Sequence, residues 1–137
     1  MKKVLVGGCF DILHYGHLYF LKNAKKLGDY LIVALEPDIT VKKLKGITRP
    51  IHNQKQRKEM LESLRFVDEV IILKPNMNDN GYLKFVTKIN PQIIAVTKGD
   101  KYLKQKQQHA KQVGAKVVEI KKIKNLSTSK IIEEKLG

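Results

Sequence analysis

The chain has 137 residues, which fits one domain (1–137) with enough core to need no disulfide or metal staple, and its single cysteine, Cys9, excludes an intrachain disulfide. The apolar start Val4 to Val6 is far too short for a signal peptide or a membrane span, so a reducing, cytoplasmic setting is expected. The net charge of +14 comes from lysines spread between Lys2 and Lys135, with no arginine-rich run and no aromatic-studded basic strand, which favours a general lysine-rich surface over a nucleic-acid partner.

In chain order, Val4 to Val6 predicts a first strand, and Leu18 to Leu27 predicts a helix closed by Gly28. Tyr30 to Ala34 is a continuous apolar run, the pattern of a strand buried on both faces. Glu36 to about Asn53 has no clear periodicity and reads as a long loop, a length usually reserved for function. Gln54 to Leu64 has helical spacing, Val70 to Leu73 reads as a third strand, and Leu83 to Ile89 as a helix before Pro91. Ile93 to Val96 makes a fourth strand, Lys101 to Val113 a helix closed by Gly114, and Val117 to Ile120 a fifth strand. Ser127 to Leu136 predicts a capped final helix. This alternation predicts a single α/β, Rossmann-like, doubly wound domain with a five-stranded parallel sheet. Ligands of such sheets sit beyond the carboxyl ends of the strands at the switch point, so the residues after strands one, four and five are the candidates.

The first strand runs directly into Gly7-Gly8-Cys9-Phe10-Asp11-Ile12-Leu13-His14-Tyr15-Gly16-His17. Two glycines at a strand end allow backbone amides to approach a phosphate closely. His14 and His17, three apart at a helix start, share one face, and Gly16 between them leaves room for a ligand. The pair beside helix-terminal amides is expected to form a cationic pocket for an oxyanion.

Gly8 to His17 resembles the signature of the cytidylyltransferase-like nucleotidyltransferases, relatives of the class I aminoacyl-tRNA synthetases. Leu126-Ser127-Thr128-Ser129-Lys130-Ile131-Ile132 resembles their second signature, at the start of the last helix. The resemblance covers essentially the whole chain. It implies transfer of CMP or AMP from CTP or ATP to a small phosphorylated acceptor, whose own phosphate attacks the α-phosphorus while pyrophosphate leaves. The enzyme then positions its substrates and neutralises charge. His14 and His17 would hold the phosphates, with Gly8, Cys9, Phe10, Asp11 and Gly16 lining the nucleotide. Ser127, Thr128 and Ser129 would meet the β- and γ-phosphates, and Lys130 would add a point charge. A Mg2+ ion is implied, held mainly by substrate phosphates and water rather than by protein ligands.

Lys45 matches a phosphate-binding lysine of relatives, with Lys42 as the competing choice and a solvated lysine as the plain one. Arg57 and Arg65 resemble two arginines of glycerol-3-phosphate cytidylyltransferases and could share a face if one helix holds both. Gly99-Asp100 matches a glycine–aspartate beside the nucleotide. Asp11 could equally cap the turn, and the Cys9 thiol reads as incidental. Lys122 stands where glycerol-3-phosphate enzymes carry arginine, which removes a bidentate contact. Val41 to Pro50, with Lys-Gly-Ile-Thr-Arg-Pro, resembles heptose 1-phosphate adenylyltransferases, whereas Arg65 to Val70 pulls toward cytidylyltransferases. The sequence therefore leans slightly to CTP and glycerol 3-phosphate, with ATP and heptose 1-phosphate, or FMN as in FAD synthetases, as alternatives. A homodimer is implied by relatives. A non-catalytic RNA- or anion-binding domain is the reading of another class, and retention of both histidines and of Ser-Thr-Ser-Lys argues against it.

Overall fold

The computed structural model describes residues 1–123. Among these residues are five strands and five helices, with two helices between β2 and β3 and one in each other connection: β1 (Lys3–Gly8), α1 (Tyr15–Lys25), β2 (Tyr30–Leu35), α2 (Asp38–Lys45), α3 (Gln54–Glu62), β3 (Glu69–Ile72), α4 (Asp79–Ile89), β4 (Ile93–Thr97), α5 (Leu103–Val113) and β5 (Lys116–Ile120). The strands form one sheet in the order β3-β2-β1-β4-β5, and every pair is parallel. In register, Val4 faces Leu31 on one side and Ile93 on the other. The chain winds outward from β1 in both directions, so the switch point falls between β1 and β4.

Side chains alternate along each strand and so feed two cores. Val4, Val6, Leu31, Val33, Leu35 and Val70 pack with Leu21 and Ala24 of α1 and Leu61 of α3. Leu5, Ile32, Ala34, Ile94 and Val96 pack on the opposite face with Val86 of α4 and Ala110 of α5. Because both faces are covered, all five residues Leu31 to Leu35 are buried, which explains the unbroken apolar run of β2.

The stretch after β2 departs from its expected loop character. Residues 38–45 form α2, anchored by the fully buried Val41. Three of its first four residues, Ile39, Thr40 and Val41, are β-branched, which masks helical propensity in the sequence. Its last turn carries Lys42, Lys43 and Lys45, cations that suit a helix carboxyl end. Helix α3 stops at Glu62, with Ser63 as its cap, two residues short of expectation. The predicted final helix, Ser127 to Leu136, lies outside the described residues.

The turn between α1 and β2 depends on close packing. A Cβ on Gly28 would lie 2.7 Å from the Lys2 carbonyl oxygen and 2.8 Å from Val4 Cγ2. The adjacent Asp29 carboxylate accepts from the Lys2 N–H, and the Asp29 N–H donates to the Lys2 carbonyl. Gly28→Ala is expected to lower the unfolding free energy by about 1–3 kcal/mol, since backbone atoms here cannot yield as a side chain can. Urea denaturation of the variant measures this, and an unchanged midpoint would refute it.

Candidate active site

At the carboxyl end of β1 the chain turns sharply at Phe10, whose φ of 46° is left-handed. This conformation folds the Phe10 ring inward, where it is buried and tilted against His17 with centroids 5.3 Å apart. A Cβ on Gly8 would sit 2.9 Å from that ring. Glycine at position 8 is therefore needed by the Phe10 ring, whatever it also allows a phosphate. A Cβ on Gly7 would meet only the Ala34 carbonyl, at 3.6 Å.

Helix α1 begins at a cap made by the two histidines. His14 Nδ1 accepts from the Gly16 N–H at 3.1 Å, and His17 Nδ1 accepts from the His14 N–H at 3.3 Å. Their rings stack with centroids 3.9 Å apart. An accepting Nδ1 leaves the proton of a neutral imidazole on Nε2. His17 also hydrogen-bonds with the Ile12 backbone. Among the described residues, His14 Nε2 is buried with no hydrogen-bond partner. It is a donor already oriented for an incoming acceptor oxygen.

The charge state of the pair differs from expectation. Burial, and then the neighbouring His14 imidazole, push the His17 value down to about 3; burial also lowers that of His14. Both rings are neutral near pH 7, so they offer oriented N–H dipoles and not a cationic pocket. Fixed cation charge comes from Lys45 at the end of α2, whose field lowers the values of both Cys9 and His17. Lys42 faces elsewhere, lining a cleft of about 300 Å³ with Thr48, Arg49 and Asn53. Of the two competing lysines, Lys45 is the one directed to the histidine cap.

Two residues expected beside a nucleotide serve the scaffold. Asp11 is 2% exposed, pairs with Arg49, and accepts from the Ile51 and His52 N–H groups at 2.7 and 3.1 Å. It fastens the 49–52 segment to the β1 turn. Arg57 is 1% exposed. Its Nη1 donates to the Cys9 and Glu36 carbonyls, both at 2.8 Å, its Nε to the His52 carbonyl at 3.0 Å, and its Nη2 to Asp38 at 2.8 Å. A guanidinium so engaged has no face left for a nucleotide, and this corrects its assignment. Arg65 cannot share a helix face with it, because α3 ends at Glu62. Arg65 is exposed at the amino-terminal edge of the sheet, next to the segment that enters β3, away from the β1 turn.

Gly99 follows β4 with φ +88°, and none of the described residues lies within 4 Å of where a Cβ would be. The Asp100 carboxylate accepts from the Tyr102 N–H and pairs with Lys106, each at 2.7 Å. The turn thus presents backbone beside the β1 cap, across the switch point. Cys9 is partly buried, and its thiol value is raised by burial, so it is no activated nucleophile. Ser127, Thr128, Ser129 and Lys130 lie outside the described residues. Among the described residues, no group of three or more His, Cys, Asp or Glu side chains could hold a metal ion, and none of the helices is long and apolar enough to cross a membrane.

One neighbour has no signature in the sequence. Glu36 ends the β2 run, its N–H donating to the Gly8 carbonyl at 3.0 Å. The Tyr82 hydroxyl of α4 donates to its carboxylate at 2.9 and 3.1 Å. Burial raises the Glu36 value, opposed by Tyr82, Lys106 and Arg57. The only hint available beforehand is an acid placed directly after a continuous apolar strand.

A helix start ready for phosphate, set at the switch point of a doubly wound parallel sheet, defines a nucleotide-binding α/β domain. A family model described as cytidylyltransferase-like matches residues 5–134, and the chain belongs to that family of nucleotidyltransferases. The bifunctional protein HldE of Campylobacter jejuni subsp. doylei is 42% identical over 133 residues, covering 97% of this chain and 27% of that protein. The FAD synthase of Thermococcus sibiricus is 48% identical over 94 residues, covering 69% of this chain and 61% of that protein. The chain thus spans about a quarter of the length of HldE. The crystal structure of a lipopolysaccharide core biosynthesis protein from Thermoplasma volcanium superposes with a TM-score of 0.72 at 31% identity, covering 90% of this chain and 97% of that one. A pantoate-β-alanine ligase from Francisella tularensis shares the fold, with a TM-score of 0.66 at 19% identity, covering 98% and 71%.

Two outcomes are expected. Arg57→Ala strands the Cys9, Glu36 and His52 carbonyls and the Asp38 carboxylate, and should cost about 3–5 kcal/mol in urea unfolding; a loss below 1 kcal/mol would show the clamp to be dispensable. The His17 value lies below its unfolded one of about 6.5, so the unfolded chain binds the extra proton between those values. Its contribution is complete above pH 6.5 and is lost as pH falls toward 3. His17→Gln, which keeps a capping side chain but does not titrate, should flatten that part of the stability profile; parallel profiles for the two proteins would contradict this.

Proposed function

We propose that this chain transfers AMP from ATP to the phosphate of a sugar 1-phosphate of the heptose type. An acceptor phosphate oxygen bonds to the α-phosphorus, the bond from that phosphorus to the bridging α–β oxygen breaks, and pyrophosphate departs with the electron pair. The observation that carries this reading is the buried Nε2 of His14 at the β1 switch point, without a partner among the described residues, beside His17 and the Lys45 charge. Such donors stabilise charge that grows on the phosphoryl oxygens in the transition state without reorganising. No side chain is needed as a nucleophile, because the acceptor brings its own.

The choice of ATP over CTP rests on the relatives. The similarity to HldE runs over 97% of the chain, and the Lys-Gly-Ile-Thr-Arg-Pro segment resembles heptose 1-phosphate adenylyltransferases. The lean toward glycerol 3-phosphate and CTP depended on Arg65, which stands exposed at the far edge of the sheet, and it loses its support. FMN is the second acceptor reading, favoured by the 48% identity to an FAD synthase over 94 residues. Mg2+ would enter with the triphosphate, held by substrate and water, and would supply charge neutralisation, since the acids near the cap are engaged: Asp11 with Arg49, and Glu36 with Tyr82. A homodimer through the 65–70 stretch, where Arg65, Asp68 and Glu69 are exposed, belongs to the same reading, and sedimentation of the purified protein tests it.

Pyrophosphate release is the direct assay, run with ATP or CTP against heptose 1-phosphate, FMN and glycerol 3-phosphate. Release that requires ATP and heptose 1-phosphate is the expected result; release with CTP alone would overturn the assignment of the base. His17→Ala should lower kcat by about 10²–10³-fold while near-UV circular dichroism stays native, and an unchanged kcat would remove His17 from the mechanism.

A further inference from the structure

We infer that the Glu36 carboxylate, held by Tyr82 at the carboxyl end of β2, is the specificity group that reads hydroxyls of the phosphorylated acceptor. This rests on the nucleotidyl-transfer reading above and adds to it the place where the acceptor's uncharged part binds.

Alternation along β2 sets the geometry. Leu31, Val33 and Leu35 point to the face covered by α1 and α3, and Ile32 and Ala34 to the face covered by α4 and α5. Glu36 continues the second series, which is why Tyr82 of α4 reaches it. The histidine cap belongs to α1, on the first face. The two groups therefore flank the end of β1 from opposite sides, and the Gly8 carbonyl, bonded to the Glu36 N–H, lies between them.

Charge sorts the substrates between the two sides. A triphosphate is drawn to the Lys45 side, whereas on the other side Lys106, whose field reaches Glu36, is already paired with Asp100. In-line displacement requires the attacking oxygen to approach the α-phosphorus opposite the leaving pyrophosphate. With pyrophosphate on the histidine and Lys45 side, the acceptor enters from the side of Glu36 and Tyr82. A carboxylate there accepts hydrogen bonds from hydroxyls and offers nothing to a phosphate. Tyr82 uses its one proton on Glu36, which fixes the rotamer and leaves carboxylate lone pairs for a ligand. Arg57, on the Glu36 backbone carbonyl, holds the strand end in place. Glu36, Tyr82 and Cys9 are only partly buried, so a small solute can reach them.

The test compares wild type with Glu36→Gln, using ATP with heptose 1-phosphate and with its mono-deoxy analogues. Expected for Glu36→Gln is a rise of about tenfold or more in the acceptor KM, as for loss of hydrogen bonds to a charged group, with the ATP KM within twofold. Wild type should discriminate against at least one deoxy analogue, and the variant should lose most of that discrimination. Tyr82→Phe should give a smaller loss with the same split between substrates. Equal changes in both KM values, or undiminished discrimination by the variant, would overturn the inference. So would altered selection between ATP and 2′-deoxy-ATP, which would assign Glu36 to the nucleotide ribose. If wild type itself releases no pyrophosphate with any acceptor, the proposed activity fails first and this inference falls with it; turnover by wild type without the Glu36 split overturns this inference alone. Native circular dichroism of each variant separates these results from misfolding.

Discussion

A single buried guanidinium holds the working end of this molecule together. Arg57 reaches from α3 to the last carbonyl of the β1 turn, to the end of β2, to the segment before its own helix, and to the first residue of α2. Four pieces of chain that approach from different directions are thereby fixed to one planar, rigid group. Arginine suits the task because its donors diverge in a fork, whereas a lysine ammonium could not span two strand ends and a helix start together. A buried charge of this kind is costly unless every partner is present, which makes the arrangement close to all-or-none. Asp11 performs the complementary task, using acceptors where Arg57 uses donors, and fastens the 49–52 segment from the other side.

The histidine cap illustrates how one set of atoms can serve both folding and chemistry. Each imidazole spends Nδ1 on starting α1, and this commits the proton to Nε2 before any ligand arrives. A side chain that had to rotate or exchange its proton on binding would pay for that reorganisation in the barrier. The desolvation that keeps both rings neutral also strengthens the dipoles they present. Lys45 then contributes the net charge from a different element, so dipole and charge can be altered separately.

The fold was largely readable from the chain itself. Continuous apolar runs at 4–6, 30–34 and 93–96 mark strands covered on both faces, and all but Tyr30 are buried in the sheet. What stayed hidden was local or long-range. Helix α2 has weak intrinsic propensity and exists because Val41 is buried, which is a tertiary effect. The histidine motif points to the candidate site, but the neutrality of its rings follows from desolvation that no spacing reveals. Arg57 and Arg65 looked alike eight residues apart, and a helix end between them sends one into the core and the other to solvent. Glu36 and Tyr82 are 46 residues apart and meet only because β2 and α4 share a face.

The packing of Gly28 beneath Lys2 also governs how the protein can be handled. It pins the first residues to the amino-terminal edge of the sheet, and β1 then runs six residues, about 20 Å, before the chain reaches the histidine cap. Met1 is 78% exposed at that edge. A polypeptide, dye or surface tether joined at Met1 emerges on the side away from the histidine cap and leaves that end of the sheet open. The geometry favours immobilisation or fusion through this end.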